Sequence, residues 1–96
     1  MSKFILLFQG YQEPTAEVMA AWQGWFAKVG ESFIDSGNPL GAGREVTKSG
    51  STALTPDMNP ATGYCIVNAE DLDAAERLLE GCPIIDSARI YQAMAM

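Results

Sequence analysis

None of the 96 residues of this chain is a His, and this absence limits the chemistry that the chain can perform. Without an imidazole there is no Ser-His-Asp or Cys-His nucleophile pair, no His-ligated zinc and no imidazole proton shuttle. Proton transfer has to use carboxylates, Tyr, Lys or Cys. Asp35 and Tyr64 are candidates for proton transfer, and Arg44 for bidentate anchoring of an anionic substrate. An enzyme acting on a small organic substrate is therefore one hypothesis.

Each of these three residues also has a simpler structural interpretation. Arg44 shares one face of a predicted strand with Lys48, and such charges protect the edges of sheets. Asp35 lies near the predicted end of a helix, where the dipole disfavours negative charge, so it is also interpreted as a solvated carboxylate. Tyr64 has an apolar body and a hydroxyl group, which suit a pocket or an interface equally well.

Three large rings, Trp22, Trp25 and Phe26, stand at nearly adjacent positions of one predicted helix. They cannot all face the sheet at once. In one interpretation Trp22 or Phe26 lines an apolar cleft of the kind that binds small molecules. In the other, all three rings are contacts of the core or of a dimer.

Charge and cysteine content reduce the classes of partner and cofactor that this chain could bind. Six Lys and Arg against twelve Asp and Glu give a net charge of -6, which disfavours nucleic acid and anionic lipid as partners. The apolar run at residues 4–8 is too short for a signal peptide or a membrane span, so we expect a cytoplasmic protein. Cys65 and Cys82 form neither a CxxC nor a metal motif and are predicted to be buried, reduced thiols. No metal or other cofactor is implied.

The strands are predicted from apolar runs and from two-residue alternation, within one domain that spans residues 1–96. Residues 3–9 form a compact apolar run closed by Gly10, which is typical of a central strand covered on both faces. The remaining predicted strands are residues 40–47, 52–55, 63–67 and 88–94.

Two helices are predicted between these strands. The first is capped by Thr15 and is predicted to end near Ser36, with Gly37 as its left-handed C-terminal residue. The second is predicted to be capped by Asn68, with Asp71 pointing back at the cap. The apolar stripe of the first helix recurs at steps of three and four residues and comprises Val18, Met19, Trp22, Trp25, Phe26, Val29 and Phe33.

This order of elements predicts an α+β fold with a ferredoxin-like antiparallel sheet and two helices on one face. With helices on only one side, the other face of the sheet is uncovered. Monomeric proteins rarely expose such an apolar patch. We therefore expect a homodimer that forms through sheet faces or edges.

Several segments together resemble the YCII-related family of small α+β proteins. They are the opening KFILLF, the Asp35-Ser36-Gly37 segment followed by Gly41-Ala42-Gly43, the GYCIVNAEDLDAAERLLEGCP block and the closing strand of alternating residues. The resemblance covers nearly the whole chain. It implies a dimeric α/β barrel and a cleft between the sheet and the first helix, in a family whose members mostly have no assigned reaction.

The chain also departs from that family. Some members carry a His in the first helix that, with an Asp near the helix end, looks like a catalytic pair. Asp35 corresponds to the Asp, but Trp25 or Phe26 stands in the region of the His. The Asp-Gly-Pro-Phe motif of one branch is replaced by residues 56–60. The resemblance therefore does not extend to His–Asp catalysis.

The leading hypothesis is a cytoplasmic homodimer that binds a small ligand in a cleft between the sheet and the first helix, without His-dependent catalysis. The enzyme that uses Asp35, Tyr64 and Arg44 is the alternative. A purely structural partner domain, without a cleft deep enough for a ligand, is the third hypothesis. The predicted ligand-binding residues are Trp22, Phe26, Asp35, Arg44 and Tyr64.

Overall fold

Strand β1, Ser2–Gln9, lies inside a four-stranded sheet in the computed structural model, which describes residues 1–95. It pairs antiparallel with β5, Ala61–Ala69, on one side and with β6, Ser87–Gln92, on the other. β2, Phe33–Pro39, pairs antiparallel with the free edge of β5. The resulting strand order is β2-β5-β1-β6.

Both helices pack on the same face of this sheet. α1, Ala16–Val29, contributes two buried side chains and α2, Leu72–Leu78, contributes one. Alternation along β1 and β5 sends every second side chain toward the helices, where apolar burial stabilises the fold. The core comprises Phe4, Leu6, Phe8, Trp25, Val29, Cys65, Val67, Ala69 and Ala75.

The predicted α+β class, with a four-stranded antiparallel sheet and two helices, is confirmed. Each helix connects two strands that are separated in the sheet by a third strand. This arrangement is compatible with the ferredoxin-like fold. Among residues 1–95, no helix has both the length and the apolar character that crossing a membrane requires.

The predicted extension of the first helix to residue 36 is wrong. α1 is closed by Gly30, whose φ of 51° belongs to the left-handed side of the backbone map, where glycine is favoured. After a short 3-10 turn the chain enters β2. Phe33 therefore reaches the core from a strand, and Asp35 lies on β2 rather than near a helix end. The apolar spacing up to Phe33 did not reveal this change of direction.

The strand predicted at residues 40–47 is not part of the main sheet. Its second half is β3, Arg44–Thr47, which pairs with β4, Gly50–Ala53, in a separate two-stranded hairpin. All residues of both strands are exposed. β2 instead occupies the position beside β5 in the main sheet.

The cap predicted for the second helix is also wrong. β5 continues to Ala69, which is buried, so Asn68 belongs to the strand. Asp71 is the N-cap, and its side chain accepts a hydrogen bond of 2.8 Å from the main-chain N–H of Ala74. The last strand begins and ends slightly earlier than the predicted residues 88–94.

The sheet face opposite the helices, called the open face below, carries two rows of side chains across all four strands. Ile5 and Leu7 of β1 stand at the middle of these rows and are half-buried, whereas Tyr91 is 48% exposed. The first row is Asp35, Ile66, Ile5 and Tyr91, and the second is Asn38, Tyr64, Leu7 and Arg89.

Candidate functional site

A cleft of about 680 Å³ separates α1 from the sheet near β2 and β5. Helix α1 forms one wall. Residues 36–40 and 62–65 line the cleft from the sheet, and residues 8–12, Pro14 and Ile85 complete the lining. The side chains that α1 contributes are Val18, Met19, Trp22 and Phe26.

The sequence of α1 provides two adjacent apolar stripes. Val18, Trp22 and Phe26 follow one another at four-residue steps along the cleft, because residues at this spacing lie on one side of a helix. Trp25 and Val29, one stripe further round, are buried in the core. Thr15 starts the helix, since its hydroxyl oxygen accepts from the N–H of Val18 over 3.1 Å. One helix therefore serves the core and the cleft together.

The aromatic side chains of the cleft support one another. Trp22 meets Phe8 edge to face, with ring centroids 5.3 Å apart at 85°. Trp22 and Phe26 are 6.1 Å apart and tilted by only 34°. Trp25 stands behind both rings, at 5.8 Å from Trp22 and 5.5 Å from Phe26. Such contacts add to the stabilisation that comes from apolar burial, so the aromatic wall is held in place without a ligand.

The polar groups that line the cleft are uncharged at neutral pH. Gln9 is buried and has both ends of its amide satisfied, by the main-chain oxygen of Asn59 and the hydroxyl of Ser87. The Thr62 hydroxyl donates to the main-chain oxygen of Gly10 over 2.7 Å. The remaining polar residues of the lining are Tyr11, Gln12, Ser36, Asn38 and Tyr64, and the described lining contains no Asp, Glu, Lys or Arg.

The structure brings some of the predicted site residues together and separates others. Trp22, Phe26 and Tyr64 line the cleft. Asp35 does not, but its Oδ2 accepts a hydrogen bond of 3.3 Å from the Tyr64 hydroxyl. Arg44 lies on the exposed hairpin and does not line the cleft. The three groups of the enzyme hypothesis are therefore not assembled around one ligand site.

The pair formed by Asp35 and Tyr64 is part of a small hydrogen-bonded group. Asn38 Nδ2 donates to the Tyr64 hydroxyl over 3.4 Å, and the main-chain N–H of Gly37 donates to Asp35 Oδ1 over 2.8 Å. Strand alternation places the Tyr64 side chain on the open face, since its neighbour Cys65 faces the core. This group therefore borders the cleft from the other side of the sheet.

Several residues of the cleft were missed by sequence reasoning. Val18 and Met19 line the cleft but were predicted only as part of the apolar stripe of the first helix. That stripe is wider than a single buried helix face requires. This excess width is a usable signal for a second apolar surface. Gln12 and residues 36–40 gave no such signal, because they come from loops and from a strand edge that only long-range pairing defines.

Both cysteines are free thiols, and Cys65 lies at the cleft. Burial, reinforced by the nearby Cys82 and Asp35, raises the pKa of the Cys65 thiol to about 12. Burial likewise raises the pKa of Cys82 to about 12. Since the thiolate is the nucleophilic form, neither sulfur is activated at neutral pH.

Comparison with protein-family models, with curated proteins and with solved structures found no match. Within residues 1–95, no three Cys, Asp or Glu side chains are grouped so that they could hold a metal ion. The features that bear on function are the cleft and the open face.

Proposed function

We propose that this protein is a homodimer that binds a small molecule in the cleft between α1 and the sheet, without His-dependent catalysis. The cleft itself carries the proposal. Its volume of about 680 Å³ falls within the roughly 300–1,000 Å³ typical of ligand pockets. Its lining combines aromatic walls with a few uncharged polar groups, which is the usual composition of such pockets.

The packing of the cleft favours binding because the wall is formed in advance. Trp22 is held between Phe8 and Phe26, and Trp25 fixes the helix against the core. A ligand that enters does not have to order these side chains. The conformational entropy lost on binding is correspondingly small, which raises affinity.

A binding role is favoured over acid–base catalysis by the position of the ionisable groups. General acids and bases must lie within hydrogen-bonding reach of the reacting atoms. The described lining holds no carboxylate and no Lys, and the Cys65 thiol stays protonated at neutral pH. Asp35 contacts Tyr64 beside the cleft rather than inside it.

Ligand binding is tested by screening small molecules for a rise in melting temperature and, for each hit, by recording tryptophan emission. A ligand that prefers the folded state must stabilise it. A molecule in the cleft should change the emission of Trp22, and a Trp22→Phe variant should lose that change while retaining the emission of Trp25. A screen of charged and uncharged compounds that gives no stabilisation contradicts the proposal.

The homodimer is proposed to form through the open face, with a second copy of this chain as the occupant. That face has half-buried apolar side chains at its centre, including Ile5 and Leu7. Asp35 stands on one edge strand and Arg89 on the other. A two-fold axis parallel to the strands places β2 of one copy over β6 of the other. Asp35 then faces the edge that carries the partner's Arg89, so the charges are complementary.

Two sheets packed in this way form the dimeric α/β barrel that the YCII resemblance implies. A relationship to the YCII-related family is part of the same proposal, supported by the strand order and the position of the cleft. Sedimentation at micromolar concentration should give twice the monomer mass of 10.3 kDa. A monomer under those conditions contradicts the dimer but leaves ligand binding to be judged by its own test.

A further inference from the structure

We infer that the ligand of the cleft is an uncharged, flat aromatic molecule that carries one or two hydrogen-bonding groups. This inference rests on the proposed function, because it names the ligand class of the same site. Three properties of the lining carry it: the arrangement of the rings, the lack of charge, and the small number of polar groups that are free to bind.

The rings provide a surface for stacking. Trp22 and Phe26 lie one helical turn apart on α1, with ring centroids 6.1 Å apart and planes tilted by 34°, so both rings belong to the same wall of the cleft. Offset stacking and edge-to-face contact with such a wall both favour a flat aromatic partner. Met19 lies beside this wall, and methionine sulfur makes favourable contacts with aromatic rings. A saturated molecule of equal size gains none of these contacts.

The lack of charged side chains selects against ions. A charged ligand loses hydration when it enters an apolar cleft, and the loss is offset only by an opposite charge or by strong hydrogen bonds. The described lining offers no Lys or Arg for an anion and no Asp or Glu for a cation. The net charge of -6 adds a field that repels anions. Arg44, the predicted anion anchor, lies on the separate hairpin.

Only a few polar groups of the cleft can serve a ligand. The amide of Gln9 and the hydroxyl of Thr62 already bond within the protein. Asn38 and Tyr64 bond to each other on the open face, so their side chains point away from the cleft. The polar side chains that remain for a ligand are the amide of Gln12 and the hydroxyls of Tyr11 and Ser36, all of them exposed. These few partners satisfy one or two polar groups of a ligand, but not the many hydroxyl groups of a sugar.

Four matched probes test this ligand class by calorimetric titration at neutral pH. They are 2-naphthol, which is uncharged and aromatic, 2-naphthoate, the naphthylmethylammonium ion, and decanol, which is uncharged but not aromatic. We expect 2-naphthol to bind at least tenfold more tightly than each of the others. If one of the others binds as tightly, the ligand class is wrong while the proposed binding function stands.

A pair of variants locates the binding. Met19 is 55% exposed at the cleft, and Ala20 is exposed on the far side of α1, so both positions accept Glu without disturbing the core. Met19→Glu should weaken 2-naphthol binding at least threefold, and Ala20→Glu should not change it. Equal affinities in the two variants overturn the assignment to the cleft. If neither these probes nor any screened compound binds, the proposed function fails as well.

Discussion

The indole Nε1 of Trp25 donates a hydrogen bond of 2.8 Å to the main-chain oxygen of Leu78, and so joins α1 to the last residue of α2. Trp25 is only 2% exposed. The last carbonyl groups of a helix have no partner within it, so the indole satisfies one of them. A single side chain therefore fills the core and ties the two helices together on the sheet.

Replacing Trp25 by Phe should lower the free energy of unfolding by about 2–3 kcal/mol. About 1 kcal/mol comes from the hydrogen bond to Leu78, and the rest from the lost apolar contacts and the cavity that remains. Urea denaturation measures the change. Trp22→Phe is the matched control, because Trp22 belongs to the same helix but is only half-buried. Its loss should be clearly smaller, and equal losses would contradict the role assigned to Trp25.

Two glycines should respond to alanine in opposite directions. A Cβ at Gly37, where φ is 80°, would stand 1.7 Å from the main-chain oxygen of Tyr64, so β2 and β5 would have to separate locally. Gly37→Ala should therefore destabilise the protein by about 3 kcal/mol or more, or prevent folding. Gly24 lies inside α1 with open space beside it, and Gly24→Ala should stabilise by about 0.5–1 kcal/mol.

Thermal denaturation and urea denaturation of the two glycine variants measure these effects under identical conditions. The comparison separates the close approach of two strands from the general cost of glycine flexibility. A Gly37→Ala variant as stable as the natural chain would show that β2 does not approach β5 as described.

The charges at the two edges of the open face should control dimer formation. Asp35→Arg alone and Arg89→Asp alone should each weaken the dimer about tenfold or more, because each places like charges on the facing edges of the two sheets. The double variant should recover most of the affinity. Sedimentation over a range of protein concentrations measures the dissociation constants. If both single variants dimerise like the natural chain, the two-fold arrangement proposed for the open face is wrong.

Stability should fall in alkaline solution because of the two thiols. The folded protein raises the pKa of Cys65 and Cys82 from 9.0 to about 12, so the native state keeps protons that the unfolded state releases. The stabilisation is fully present below about pH 9 and is lost as the pH rises from there toward about 12. The free energy of unfolding, measured by urea at a series of pH values, should decline over this range.

A variant with both Cys65 and Cys82 replaced by Ala isolates the contribution of the thiols. Its packing differs from that of the natural chain, so the slopes against pH are compared rather than the absolute stabilities. The double variant should show a shallower decline. Identical slopes would contradict the assignment to the thiols.

The errors at the start and end of the helices show where sequence reasoning fails. Apolar spacing continued through Gly30 to Phe33 because Phe33 is a core residue in either geometry, as a helix position or as the first residue of a strand. The second cap was misplaced for another reason, because Asn68 and Asp71 are both residue types that cap helices and only Asp71 makes the bond. Local pattern identifies a buried position, but not the backbone conformation that brings it there.

The candidate site, too, could be predicted only in part from the sequence. The surplus of rings on α1 indicated a second apolar surface, and Trp22 and Phe26 do line the cleft. Arg44 was associated with them through its charge alone, and the hairpin keeps it out of that lining. Residues that are neighbours in space but far apart in the chain cannot be recognised from the spacing of residues along the sequence.

By itself, the amino-acid sequence determined the α+β class, the central apolar strand and the aromatic stripe of α1, together with the lack of any His. These follow from local periodicity and residue chemistry. The tertiary structure alone decided that residues 33–39 pair with β5, that the hairpin stands apart, and that Asp35 meets Tyr64 beside a cleft whose lining is uncharged. The reason is physical: strand pairing and clefts depend on contacts between distant segments, and their free energy is set by the packing of the whole chain.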